Sequence, residues 1–129
     1  MLAFHKGLIS LVSVLFVGLG IWLTLDPLAI EDLYPIRLEG PMGISEVRAV
    51  FGGLMGGVGA AVLWLVLRKR RAVDGGAVML FVFGGLLVAR VVGFVGEGMP
   101  SGPVLNETIF ETVVFVIVLA TTFAVRNRE

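Results

Sequence analysis

Cysteine is absent from this 129-residue chain, which removes disulfides, thiolate nucleophiles and thiolate metal sites together. Histidine occurs once, at His5, so a His/Cys metal centre has too few ligands. A net charge is missing as well. Ten Lys and Arg balance ten Asp and Glu, leaving no basic field to recruit nucleic acid. The serines, Ser10, Ser13, Ser45 and Ser101, stand in no nucleophile-elbow sequence and have no second imidazole to call on, which argues against hydrolase chemistry. The glycine-rich stretch 52–59 lacks the strand-to-helix setting and the terminal Lys of a phosphate loop, so it is no nucleotide site. No carboxylate-rich loop suggests calcium or magnesium. Neither a metal, a cofactor nor a catalytic residue is assigned.

What is present is oil-soluble. Residues of the apolar set make up 57% of the chain and mean hydropathy is +1.01, values that exclude an ordinary soluble domain. Crossing about 30 Å of hydrocarbon takes about 20 mostly apolar helical residues. Four runs of that length are found, at 7–25, 47–67, 75–95 and 108–125. Their apolar residues surround the whole helix instead of forming a stripe, as lipid contact requires. The expected fold is all-α: an integral membrane antiparallel four-helix bundle, with residues 1–129 forming one four-span domain. The first run is longer than the core of a cleaved signal and lacks a clean small-x-small site, so it is expected to be retained.

Charge distribution sets the expected direction. Lys6, Arg68, Lys69, Arg70, Arg71, Arg126 and Arg128 fall on one side of the spans. By the positive-inside rule that side is cytoplasmic, with both termini, in the cell inner membrane. The opposite side receives Asp26, Glu31, Asp32, Glu39, Glu46, Glu97, Glu107 and Glu111. The link from Asp26 to Ser45 carries Pro27, Pro35 and Pro41 and mixes apolar with charged residues, so it is expected to lie along the outer interface, with Trp22 as an anchor.

Eighteen glycines in a helical chain point to close backbone approach. Gly52 and Gly56, and Gly53 and Gly57, are four apart on the second span, and Gly85, Ala89 and Gly93 repeat the interval on the third, which predicts a tight hairpin between those two helices. Phe51-Gly52-Gly53-Leu54 returns as Phe83-Gly84-Gly85-Leu86 in the opposite direction, but this composition repeats itself readily by chance.

Ions inside hydrocarbon cost several kcal/mol each and seek partners. Glu46 and Arg48 open the second span, Arg90 lies near the outer end of the third, and Glu107 and Glu111 begin the fourth. A network of Arg48, Arg90, Glu111 and Glu46 is expected at the outer end, with Asn106, Thr108 and Thr112 completing its hydrogen bonds. The candidate ligand-binding cluster is therefore Glu46, Arg48, Arg90, Asn106, Glu107 and Glu111. Two readings of it stay open: ion pairs that fix helix register, or a pocket for a lipid head group or small anionic ligand.

The order of Glu46, Arg48, Gly52 and Gly53, then Arg90, then Gly98-Met99-Pro100 and Glu107 resembles a bacterial membrane protein family catalogued as domain of unknown function 4345. The resemblance implies a small four-helix membrane protein and no activity. Expected partners are membrane lipid and, beyond it, a second copy or a larger membrane complex, and not nucleic acid. The expected function is a non-enzymatic lipid-binding, small-ligand-binding or accessory module. The alternatives are a small proton-coupled transporter acting as a dimer, with Glu107 or Glu111 exchanging protons, and a lipid-modifying membrane enzyme.

Overall fold

The computed structural model describes residues 1–68, 71–99 and 102–126. Lys69, Arg70, Pro100, Ser101 and Arg128 therefore lie outside the described residues. Helix α1 runs Leu2–Leu25, the short α2 Ala29–Leu33, α3 Gly40–Arg68, α4 Ala72–Glu97 and α5 Pro103–Val125. Four of these are long and apolar enough to cross a bilayer. At about 1.5 Å per residue, the shortest, α5, is about 35 Å long, more than hydrocarbon requires. The chain is all-helical, with four long apolar helices as in a membrane bundle, and strands are absent among the described residues.

Each helix starts earlier than its hydropathy run. Polar residues at an end do not stop backbone hydrogen bonding, so α3 begins at Gly40, ahead of Ser45 and Glu46, and closes on Arg68. Two segments of α3, Arg48–Leu54 and Trp64–Arg68, are wound as π-helix. After α4 the backbone turns at Gly98, with φ +96°, and α5 is entered through Gly102, with φ +65°. Both values lie in the region that favours glycine.

Every long helix contributes fully buried side chains to the core, among them Ile9, Val62, Met79 and Val118. Phe16 and Phe83 add a tilted ring contact at 5.8 Å between centroids. Large apolar side chains such as Leu25, Phe81 and Val95 point outward, as expected of a lipid-facing surface.

The glycine groove of α3 faces α1, which corrects the expected hairpin with the third span. A Cβ on Gly20 would lie 2.5 Å from the Gly56 Cα, and one on Gly59 2.7 Å from the Ser13 carbonyl oxygen. A Cβ on Gly52 would collide with the Thr24 hydroxyl. Gly85 on α4 has open space where its side chain would be. Interval alone does not choose between neighbours, and α1 offered Gly20 as the facing notch. Helices α3 and α4 meet near the turn joining them, where Gly75 lies against Val62 and Val66, and α4 otherwise packs chiefly on α5.

The link between α1 and α3 is folded on itself. Ile30 on α2 is buried with Leu23 and Val47 in a second small core, against which Tyr34 and Leu38 pack. The Glu31 carboxylate holds the fold of the link by accepting from the Leu38 N–H at 2.6 Å and from Arg37 at 3.2 Å.

Candidate functional site

The site is assembled by three elements. Tyr34 closes α2, its N–H bonded to the Ile30 carbonyl at 2.9 Å. Burial of Ile30 thereby fixes where the phenol starts. Arg90 comes from α4, and Glu107 and Glu111 from the first turns of α5.

Glu107 and Glu111 share a helix face, where like charges repel. Arg90 bridges them. Its Nε and Nη2 donate to the two carboxylate oxygens of Glu111 at 3.3 and 3.2 Å, and Nη2 also donates to Glu107 at 3.2 Å. The two-point contact is the geometry for which a planar guanidinium is suited. The phenol hydroxyl of Tyr34 donates to the other Glu107 oxygen. Burial pushes the Tyr34 phenol well above its ordinary range, and the hydrogen bond to the Glu107 carboxylate and that group's charge push the same way. Tyr34 is therefore a neutral donor under ordinary conditions. The three charged side chains are unequally covered: Glu111 is 13% exposed, Arg90 25% and Glu107 38%.

Of the six candidate residues, the structure brings together Arg90, Glu107 and Glu111. The other three stand outside the cluster, against the network expected from spacing. Arg48 is exposed, and its Nε donates to the Thr24 carbonyl at 3.2 Å, so it caps the C-terminal end of α1, where a cation is favoured. Its expected place in the Arg90 network rests on turning the glycine face of α3 toward α4, and that face looks at α1. Glu46 is exposed and has no ion-pair partner among the described residues. Asn106 is exposed on α5. The Thr108 and Thr112 hydroxyls return to their own helix, donating to the Val104 and Thr108 carbonyls at 2.8 and 2.7 Å.

Beside the cluster opens a crevice of about 680 Å³. It exists because α3 and α4 pack near their joining turn and not at this end. Its walls are apolar side chains from four elements, including Ile30, Phe51, Leu86, Phe94 and Val104, with Tyr34 and Arg90 as the polar lining. Tyr34 was not singled out from sequence. The only hint was its being the sole tyrosine, set in a proline-flanked link, and nothing in spacing ties it to a residue 73 positions away.

A second polar node, also unforeseen, lies at the far end of the bundle. His5 is fully buried. Its Nε2 faces the Ala72 carbonyl at 3.1 Å and its Nδ1 faces the Thr121 hydroxyl at 2.9 Å. A carbonyl only accepts, so Nε2 carries a proton, while the Thr121 hydroxyl donates to the Ile117 carbonyl of its own helix at 2.8 Å. A Cβ on Gly76 would come 2.9 Å from this ring, so the absence of a side chain there admits it. Neighbouring Thr122 is buried, and its hydroxyl has no partner among the described residues.

Over residues 4–121 the sequence matches the family described as Domain of unknown function (DUF4345). Neither a curated protein nor a solved structure matches it.

Proposed function

From the premise that the chain belongs to the DUF4345 family, a domain of unknown function, we propose that this small multi-pass membrane protein is a non-enzymatic binding module for an amphiphilic molecule of the bilayer. The observation that carries the reading is the crevice of about 680 Å³, apolar over most of its wall and ending on Arg90 and Tyr34. Sites for small apolar molecules with a polar group have volumes of about 300–1,000 Å³ and a few convergent polar residues. An ion-pair cluster serving only to set helix register needs no such space beside it. Acyl chain fits the apolar wall, and the Nη1 edge of Arg90, which makes no hydrogen bond among the described residues, is a donor for a head-group oxygen.

Transport of protons through the same carboxylates would require a polar path along the bundle. Between the Arg90 cluster and His5 the described interior is Met79, Phe83, Val114 and Val118, which favours binding over passage. We further place the acidic end at the outer face of the cell inner membrane and both termini in the cytoplasm, on the basic residues gathered at the opposite end. Reporters fused to either terminus check that placement, and an outward signal from either one refutes it.

Native mass spectrometry of the protein extracted with its lipids tests the binding reading. Leu86→Trp, which fills the crevice, and Arg90→Ala, which removes its ionic wall, are each expected to lower retained lipid severalfold against a Gly85→Ala control. Unchanged retention in both variants overturns the reading.

A further inference from the structure

Resting on that reading, we propose that the crevice selects an amphiphile whose head carries an ammonium group beside a phosphodiester, and discriminates against a purely anionic head.

The argument is one of charge. The cluster holds two carboxylates against one guanidinium, and Tyr34 contributes a neutral phenol. Arg90 is already compensated by the two-point grip on Glu111, so one carboxylate charge remains over. That surplus sits on Glu107, which shares a single Arg90 contact and is the most exposed of the three at 38%. Glu107 adjoins the crevice through both polar lining residues, since it is bonded to Tyr34 and to Arg90. A phosphate oxygen on Arg90 Nη1 therefore places the next few atoms of a head group beside an under-compensated carboxylate. An ammonium there completes a charge-alternating row of phosphate, guanidinium, carboxylate and ammonium. A head with only negative charge meets Glu107 as a like charge. The surroundings act in the same sense, because this end of the chain has eight acidic residues against Arg37, Arg48 and Arg90.

The test offers the purified, delipidated full chain equal amounts of phosphatidylethanolamine and phosphatidylglycerol with matched acyl chains, and reads bound lipid by native mass spectrometry. The expected result is about fivefold preference for phosphatidylethanolamine, the size of one half-exposed ion pair. Glu107→Gln is expected to bring the ratio of the two bound lipids to about one, chiefly by lowering retained phosphatidylethanolamine. The wild-type comparison stands by itself if that variant fails to fold. Displacement of the lipid by dodecylamine but not by dodecyl sulfate supports the same conclusion with a single-chain source of the ammonium. Equal retention of the two lipids, or preference for phosphatidylglycerol, overturns the selectivity while Leu86→Trp still lowers both, leaving the binding reading intact. Retention of both lipids unaffected by Leu86→Trp and by Arg90→Ala removes the binding reading and the selectivity with it.

Discussion

Tyr34 is the only tyrosine in the chain, so tyrosinate absorbance titrates it alone. Its folded-state affinity for the proton is raised by burial and by Glu107, which fixes the sign of its pH effect. The stabilisation is complete below the ordinary phenol value of 10.0 and is lost as pH rises beyond it toward the folded value. Tyrosinate should therefore appear only above that ordinary value, together with loss of structure, and Tyr34→Phe should flatten the alkaline fall in stability. Arg90 makes a different prediction. Arg90→Ala leaves Glu107 and Glu111 opposed with no cation between them, and a cost of about 2 kcal/mol follows at neutral pH. Adding Glu111→Gln should recover part of it, because one of the stranded charges is then gone, and a thermal-unfolding double-mutant cycle measures the difference. Thr122 is the reverse case. Its hydroxyl has no partner among the described residues, so Thr122→Val should lie within about 0.5 kcal/mol of wild type or above it.

Between elements, the decisive contact is the glycine seam of α1 and α3. A methyl group on Gly20 or Gly59 meets backbone, which cannot swing aside, so Gly20→Ala and Gly59→Ala should each cost about 1–3 kcal/mol. Gly85→Ala adds a methyl to open space on α4, and the better helix former should be neutral or up to about 1 kcal/mol stabilising. Thermal unfolding in one detergent ranks the three, and an equal loss at Gly85 would mean that the seam lies elsewhere. The interval of four was legible on α3 and on α4. Its partner was not, because a small residue reports only that something comes close. The same gap misplaced Arg48, whose assignment to the Arg90 network followed from the assumed neighbour.

The whole bundle is tied at its two ends by different chemistry. At one end Arg90, Glu107, Glu111 and Tyr34 join α2, α4 and α5. At the other, His5 joins α1 to Ala72 of α4 and Thr121 of α5. Because His5 engages both at once, His5→Leu should cost about 2 kcal/mol, and Thr121→Val combined with it should cost less than the sum of the two alone. Chemical denaturation of the four variants checks the coupling, and strict additivity would show that the Thr121 contact contributes nothing.

Hydropathy alone determined that four helices are long and apolar enough to cross and roughly where they lie, since a bilayer core tolerates only backbone whose polar groups are satisfied within the helix. The cost of ions in hydrocarbon likewise made Arg90, Glu107 and Glu111 conspicuous as written. Which helix meets which, and so the exclusion of Arg48 and Glu46, the arrival of Tyr34 and the burial of His5, was decided by side-chain shape in three dimensions. Lipid is as apolar as leucine, so no pattern of hydrophobicity along the chain distinguishes a face that meets another helix from one that meets the membrane.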